Sequence, residues 1–325
     1  MSLGDVLEAI RLLDHPEVDG EAVRRYFQRR DWREPAVTRV RGARGWTDFV
    51  SFHFPGARGR SSGGEAPTLG IVGRLGGVGA RPGRLGLVSD ADGALVAIAT
   101  AMALARGEAN GEKMPGDVLV RTHVCPRAPV VPHRPVPFMS SPVDMATMNR
   151  HEVSPDMEAI LSVDATKGNR IVNARGIGIT PTVKEGWILP VSEDLLDLVV
   201  YVTGRPPVVV PLSTQDVTPY GNGLYHINSI VQPATATTAP VVGVATLSVL
   251  PVPGCATGAN QAVDLDEAVR FCLEVAKAYG EGQVRFFDPE EFQRLVGLYG
   301  SMRHLQTTGG EGSGPGSSRE REDGT

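Results

Sequence analysis

The chain has 325 residues, a formal net charge of −5 and 41% hydrophobic residues. This length supports one large domain or two small ones, and the mixed, slightly acidic charge argues against a nucleic-acid or membrane partner. The three cysteines lie far apart, no run of about 18 apolar residues occurs, and the first residues lack a secretory pattern, so we expect a soluble cytoplasmic protein.

Hydrophobic periodicity predicts helices and strands that alternate along the chain. The predicted helices are residues 3–13, 20–30, 94–106, 192–203, 264–279 and 289–299. Strands are predicted at residues 36–40, 46–54, 85–88, 117–124, 157–163, 171–179, 187–191, 208–212, 241–252 and 284–287. One further strand is predicted to begin at residue 69. The alternation predicts a single α/β domain, residues 1–308, whose central, mainly parallel (mixed) sheet is flanked by helices. The Gly-, Ser- and charge-rich residues 309–325 predict a disordered tail.

Two stretches are irregular. The glycine-rich residues 69–84 lack the Gly-Lys-Ser/Thr end of a phosphate loop and do not open a dinucleotide-binding helix, so nucleotide binding is not expected. The proline-rich residues 125–137 cannot form a helix or a central strand and are predicted to be a stiff loop.

A pair of aspartates stands between the predicted strand 85–88 and the helix that follows it. Open α/β sheets present their chemistry beyond the carboxyl ends of their strands, which favours a functional role for this turn. Asp92 adjoins Gly93 and the helix, so it is predicted to cap that helix, whereas Asp90 remains the better functional candidate. Two other predicted strands end in comparable residues, His123 and Asp164.

Recurrence of such residues at strand ends suggests a metal site. Carboxylates can bridge two cations and imidazole supplies nitrogen, so a divalent metal (Zn or Mn) could activate water for attack on an amide carbonyl. The candidate ligands are Asp90, Asp92, His123, Asp164 and His226. Each has a structural alternative as a cap, a hydrogen-bonded core histidine, or a member of an ordinary ion pair.

Further residues are candidates for catalysis or substrate binding. Besides His123, Lys167 and Cys255 are the catalytic candidates, and Cys255 lies in a loop of small residues where a thiolate could be stabilised. Lys167 or Arg127 could anchor a substrate carboxylate, as could Arg81, Arg121 or Arg134. The other predicted substrate-binding residues are His133, Asn222 and Asn228.

The same aspartate pair allows a different enzyme class. An apolar strand followed by Asp-x-Asp-Gly resembles the first motif of haloacid-dehalogenase-type phosphatases, in which one aspartate is the nucleophile and the next a general acid over Mg²⁺. Ala94 stands where that family has Thr or Val, and no acidic fourth motif is evident.

Long motifs resemble an uncharacterised prokaryotic family, domain of unknown function 1177. They are SDADGALVAIA, THVCPRAPVVPHRPVPFM, DATKGNR, TQDVTPYGN, HINSIVQPA and VPGCATGAN, and the resemblance extends to about Gly309. That family implies no established activity.

The order of strand ends is also remotely similar to the zinc aminopeptidase superfamily with co-catalytic metals. This similarity implies a zinc-peptidase-like fold in which Asp90 and Asp164 carry over as metal ligands. The superfamily's first His-x-Asp would fall at residues 73–76, its paired glutamates near Thr122 and His123, and its final histidine near residues 260–261, and none of these is present.

The leading hypothesis is therefore a metal-dependent hydrolase of a small amide, peptide or modified amino acid. The alternative is a catalytically inactive relative that binds a small ligand or a partner chain at the same cleft. The sequence is also compatible with a homo-oligomer.

Overall fold

The computed structural model describes residues 2–74, 76–78, 80–81, 86–132, 138–255 and 259–307. Its helices are α1 (Ser2–Leu13), α2 (Gly20–Gln28), α3 (Asp92–Ala109), α4 (Met145–Glu152), α5 (Glu193–Thr203), α6 (Ala262–Gly280) and α7 (Pro289–Tyr299). Its strands are β1 (Ala36–Gly42), β2 (Gly45–Phe54), β3 (Leu69–Gly73), β4 (Ala80–Arg81), β5 (Val118–Val124), β6 (Ala128–Val131), β7 (Phe138–Met139), β8 (Ala159–Thr166), β9 (Gly176–Ile179), β10 (Val183–Lys184), β11 (Trp187–Ile188) and β12 (Val241–Leu247). The tail, residues 309–325, lies outside the described residues.

The main sheet is mixed. In the described residues its strand order is β1-β2-β5-β3-β8-β12-β10-β11, and β9 also pairs with β12. Strands β5, β3, β8 and β12 run parallel at the centre. The flanking strands pair in antiparallel fashion. The predicted mixed sheet flanked by helices is thus confirmed, with the parallel strands confined to its centre.

Helix α3 is the central packing element. It connects β3 to β5 and lies against α1, α6 and the middle of the sheet. It is buried on nearly every side, as its Ala- and Leu-rich sequence allows. The surrounding core includes Val6, Phe27 and Phe271 from three other helices. Only the start of α3, at Gly93, lies against the carboxyl ends of β3 and β8, and the candidate site is there.

Helices α5 and α7 begin within one residue of their predicted starts, residues 192 and 289. The Ser192 hydroxyl accepts a hydrogen bond of 3.2 Å from the Leu195 N–H at the start of α5. Asp288 caps α7, whose first residue is the predicted Pro289. In both helices the signal is local, which explains why the sequence predicts it correctly.

The strand predicted at residues 85–88 is not found in residues 86–88, and Leu85 lies outside the described residues. Gly86 has a φ of +81°, which is incompatible with a regular strand. The Leu87 N–H donates to Asp14 (3.1 Å), and the Val88 carbonyl accepts from the Asn260 amide (2.9 Å). Side chains distant in sequence thus bind the backbone groups that a neighbouring strand would have bound.

The prediction of a strand at residues 284–287 is wrong for the same reason. The Arg285 N–H donates to Asp194 at 2.8 Å, and the Phe286 carbonyl accepts from the Thr182 hydroxyl at 2.6 Å. Residues 208–212 form only an isolated bridge between Ile179 and Val209. Three other predicted strands, 171–179, 187–191 and 241–252, are shorter than expected.

Several features were not predicted, including β10, which pairs with β11 and β12. Helix α4 precedes β8, with Asp144 as its N-cap. The proline-rich stretch contains β6, the middle strand of a small sheet with the order β4-β6-β7. This small sheet tolerates Pro129 within β6, which the prediction of a loop throughout did not allow for.

Among the described residues, no helix is long and apolar enough to cross a membrane.

Candidate functional site

Three aspartates and a lysine lie near the carboxyl ends of the central parallel strands. Asp90 lies in a short 3-10 turn, Asp92 begins α3, Asp164 lies in β8, and Lys167 follows that strand directly. All four side chains are almost completely buried. We call these four residues the aspartate site.

Asp92 does not cap α3, contrary to its predicted role. The N-cap position is Ala91, and no side chain makes a capping hydrogen bond there. Instead one carboxylate oxygen of Asp92 is bound by the Lys167 ammonium and by the Thr246 hydroxyl at 2.7 Å. The other oxygen accepts from the Asn260 amide at 2.6 Å. Asp92 is therefore a hydrogen-bonded centre that joins α3, the end of β8, β12 and the start of α6.

Asp90 has the opposite environment. Its side chain is 8% exposed and receives no hydrogen bond from any described residue, although its backbone N–H donates to the Gly254 carbonyl at 3.0 Å. A Cβ at Gly254 would lie only 2.1 Å from an oxygen of Asp90, so that loop packs directly on the carboxyl group. Burial, followed by the charges of Asp164 and Asp92, raises the pKa of Asp90 to about 8, against the opposing effect of Lys167.

Asp164 is buried but hydrogen-bonded. It accepts from the Ser229 hydroxyl at 2.9 Å and from the Ala165 N–H at 2.6 Å. Burial raises the pKa of Asp164 to about 6, and the two hydrogen bonds and the charge of Arg74 moderate the rise. Burial raises the pKa of Tyr220 as well, and the Asp164 charge adds to that rise.

His123 takes part in a separate buried network. Its Nδ1 lies 2.5 Å from a Glu152 oxygen, and its Nε2 accepts a hydrogen bond of 3.1 Å from the Gly76 N–H. Because Nε2 is an acceptor here, Nδ1 carries the proton that faces Glu152. The Arg74 guanidinium binds Glu152 as well. Burial alone would raise the pKa of Glu152, but Arg74 and His123 outweigh it and lower that pKa.

Sequence reasoning missed Arg74 and Glu152. Arg74 follows β3 directly, where only missing metal ligands were noted, and Glu152 is the last residue of the unpredicted helix α4. The two are 78 positions apart, so no local pattern signals their contact. Ser229 could have been noticed, because it directly follows Asn228 in a polar motif singled out from the sequence.

The other predicted residues lie in different surroundings. His226 stacks on Tyr220 and is hydrogen-bonded to Thr218. The Asn222 amide donates to the same Thr218 hydroxyl at 2.8 Å, and the Asn228 amide donates to the Pro211 carbonyl at 3.0 Å. These contacts stabilise the loop before β12 and do not bring the three residues together with Asp90.

Cys255 is half-buried and packs against a small apolar cluster that contains Val88 and Cys125. Arg127 is exposed and lies 3.5 Å from Glu17. Arg121 is partly buried and donates to the His151 carbonyl at 3.3 Å. His133 and Arg134 lie outside the described residues, as does the side chain of Arg81.

The donor set in this arrangement does not fit a metal ion. No group of three or more His, Cys, Asp or Glu side chains within the described ranges is placed to hold one. Asp92 is already engaged by Lys167, and both ring nitrogens of His123 are hydrogen-bonded. Metal ligation by Asp90, Asp92, His123, Asp164 and His226 stays a prediction that the contacts of the described residues do not support.

Two cavities of the described residues lie elsewhere. One, of about 400 Å³, is lined by the aromatic residues Trp187, Phe287 and Phe292. The other, of about 890 Å³, includes Pro240 and Arg303. Neither of these two cavities is lined by a residue of the aspartate site.

The structure is similar to several solved structures at low sequence identity. With the cytosol aminopeptidase of Coxiella burnetii the identity is 13% and the TM-score 0.49, over 87% of this chain and 70% of that one. With the leucine aminopeptidase of Caenorhabditis elegans the identity is 12% and the TM-score 0.46, over 83% of this chain and 65% of that one. With an Acidobacteriales bacterium glutaminyl cyclase the identity is 10% and the TM-score 0.47, over 86% of this chain and 94% of that one.

No curated protein matches the sequence. The model of the family described as "Protein of unknown function (DUF1177)" matches residues 38–309, most of the chain, as the motifs predicted. The chain belongs to that family.

Proposed function

We propose that this protein hydrolyses a small amide, peptide or modified amino acid, with Asp90 and Asp164 as its acid–base pair. The proposal rests chiefly on the Asp90 carboxyl group, which is buried without a hydrogen bond from any described residue. The raised pKa of this group also supports a functional role, because strongly perturbed pKa values are concentrated at functional sites.

The two carboxyl groups are suited to opposite roles. Asp164, held by Ser229 and the Ala165 N–H, is the more easily ionised and would accept a proton from the attacking water. Asp90, in the less polar environment, would hold a proton and donate it to the leaving nitrogen as the C–N bond breaks. No step is assigned to a metal ion, because the donor set does not fit one.

The test compares the wild type with the Asp90→Asn and Asp164→Asn variants on a panel of aminoacyl, peptidyl and N-acyl amides. We expect each variant to lose at least about 100-fold in kcat/KM, the range of general acid–base catalysis. Asp197→Asn, at an exposed position on α5, is the matched control and should keep wild-type activity. Undiminished turnover in both site variants, at wild-type thermal stability, would contradict the proposal.

A second candidate function is binding of a small ligand without turnover. It is favoured by the engagement of Asp92, whose two oxygens are both bound, one by Lys167 and Thr246 and the other by Asn260. In that case amides of the panel would raise the thermal unfolding midpoint of the wild type but not that of Asp90→Asn. No hydrolysis product would form.

A further inference from the structure

The cavity of about 400 Å³ beside the starts of α5 and α7 has a largely apolar wall, and we call it the aromatic cavity. Its wall includes Trp187, Phe292 and Leu295. Phe287, which also lines it, meets Phe292 edge to face, with the ring centroids 5.7 Å apart. Cavities of roughly 300–1,000 Å³ with mainly apolar walls are typical of small-molecule sites. The aromatic cavity therefore has room for an aromatic or branched aliphatic group.

Hydrogen bonds between distant segments hold the walls of the aromatic cavity in place. The Ser192 hydroxyl donates to the Arg285 carbonyl at 2.6 Å, and the Arg285 N–H donates to Asp194 at 2.8 Å. The Trp187 indole N–H donates to the Gly300 carbonyl, just after α7, at 3.2 Å. These bonds form the cavity within the folded chain, so a ligand would not have to order its walls.

The aromatic cavity is lined by more acidic than basic side chains. Its charged lining residues are Glu193, Asp194, Asp288, Glu291 and Arg285. Asp194 has the Arg285 Nε at 3.9 Å, and Asp288 accepts from two N–H groups of α7. The side chains of Glu193 and Glu291 have no ion pair or hydrogen bond with any described residue. Both are exposed, which places two unpaired carboxylates at the open side of the cavity.

The helix ends at the aromatic cavity do not reverse this charge. The starts of α5 and α7 both lie at the cavity, and each helix N-terminus carries about half a positive charge. Two helix ends together with Arg285 thus supply about two positive charges, against four carboxylates. The cavity therefore favours a cation over an anion.

A further cation, Lys184, lies behind the aromatic rings. Its ammonium is 5.2 Å from the ring centroids of both Phe287 and Phe292, and it does not line the cavity. It donates to the Thr238 carbonyl at 2.6 Å and lies 3.4 Å from a Glu185 oxygen. Lys184 therefore has its own counter-ion and leaves Glu193 and Glu291 unpaired.

We propose that the aromatic cavity binds a small organic cation, in which an ammonium or guanidinium group is joined to an aromatic or branched aliphatic body. The body packs on Trp187, Phe292 and Leu295, and the cation lies beside the carboxylates of Glu193 and Glu291. Aromatic faces add to the attraction for the cation, and Trp does so most strongly. No residue of the aspartate site lines this cavity, so the proposal is independent of the proposed hydrolase.

The test uses phenethylammonium as the probe, with phenethyl alcohol and phenylpropanoate as its neutral and anionic counterparts. Binding is followed by the fluorescence of Trp187 in the full-length chain carrying Trp32→Phe and Trp46→Phe, and by calorimetric titration of the wild type. We expect saturable binding of one equivalent of the ammonium compound, about fivefold more tightly than the alcohol, and no saturation by the carboxylate. Added salt should weaken binding of the ammonium compound, because the carboxylates are exposed.

Substitutions test the two parts of the site separately. Combining Glu193→Gln with Glu291→Gln should weaken binding of the ammonium compound about fivefold, to the level of the alcohol. Glu290→Gln, exposed in the same turn of α7 but not part of the lining, is the matched control and should leave binding unchanged. Leu295→Ala should weaken the ammonium compound and the alcohol equally, at least about threefold, because apolar contact is lost. Leu298→Ala, at a 68% exposed position on the same helix, should weaken neither.

The proposal is overturned if phenethylammonium shows no saturable binding in either measurement. It is also overturned if the alcohol binds as tightly as the ammonium compound, since the cavity would then be apolar without selectivity for a cation. Full affinity in the variant that lacks both glutamates, or an equal loss in Glu290→Gln, would likewise contradict it.

Discussion

Asp90 and Asp117 show how hydrogen-bond partners decide the behaviour of a buried aspartate. Both are buried, at 8% and 4% exposure. Asp117 accepts hydrogen bonds of 2.8 Å from the Gly56 N–H, the Ser61 N–H and the Ser61 hydroxyl. Burial acts to raise the pKa of Asp117, but these bonds outweigh it and lower the pKa, whereas the pKa of Asp90 is raised. Asp117 thus stabilises the fold as an anion, whereas no described residue donates a hydrogen bond to the Asp90 carboxyl group.

Asp117→Asn should destabilise the protein by about 2 kcal/mol at neutral pH, because a charged acceptor of three hydrogen bonds is lost. Because the pKa of Asp117 is lowered in the folded protein, this stabilisation is fully present above the unfolded-state pKa of about 4. It is lost as the pH falls towards the lower pKa of the folded state. The difference between wild type and variant should therefore shrink below about pH 4. Urea unfolding at several pH values measures this difference in unfolding free energy. The exposed control Asp197→Asn should stay within about 0.5 kcal/mol of the wild type. A difference that grew on acidification would contradict this assignment.

Helix α3 determines whether the aspartate site can form. Its N-terminus must approach the ends of β3 and β8 closely enough for Asp92 to reach Lys167 and Thr246. Gly93 makes this approach possible, since a Cβ there would lie 1.8 Å from the Arg74 carbonyl oxygen and 2.6 Å from that of Val163. Both of those groups are backbone, so they cannot move aside without displacing a central strand.

Gly93→Ala should therefore destabilise the protein by about 3 kcal/mol through overpacking against the sheet. Gly107→Ala, in the last turns of the same helix, is the matched control. A Cβ there meets only ordinary contacts with Glu112, the nearest at 3.5 Å, so we expect a change between zero and about 1 kcal/mol of stabilisation. Thermal unfolding of the two variants checks this, and equal midpoints would show that the close approach of α3 is not required.

One hydrophobic core joins the two ends of the described chain. It includes Val6 and Phe27 from the first two helices and Phe271 and Phe286 near the C-terminal end. Helices α1 and α2 precede the residues that match the family, 38–309, yet their apolar faces are buried in this core. The single-domain organisation expected for residues 1–308 is consistent with this shared core and remains a prediction.

A shared core predicts that distant parts of the chain unfold together. In the Trp187→Phe variant, the fluorescence of Trp32 and Trp46 reports on unfolding of the N-terminal region. In the Trp32→Phe, Trp46→Phe double variant, the fluorescence of Trp187 reports on the region around that residue. We expect coincident fluorescence midpoints in urea, each matching far-UV circular dichroism, because loss of either part exposes the common core. Two separated transitions would instead indicate independently folding units.

The predictions that were confirmed depend on residues close together in the chain. The boundaries of α7 and the Ser192 cap of α5 follow from interactions over one helical turn, and the central parallel strands follow from short apolar runs. Asp90 and Asp164 could be singled out because each stands at the end of an apolar segment, and the structure places them where their charges interact.

The role of each site residue depended on partners far away in the sequence. Asp92 was expected to be a cap, but Lys167 and Thr246, 75 and 154 positions away, bind it. The role of His123 as a ligand or a base stays a prediction, and its ring is bound by Glu152 from an unpredicted helix. Local periodicity and capping signals extend over only about four residues, so they predict helices and strands. The partner of a buried charged group is fixed only when the packed sheet brings distant segments together.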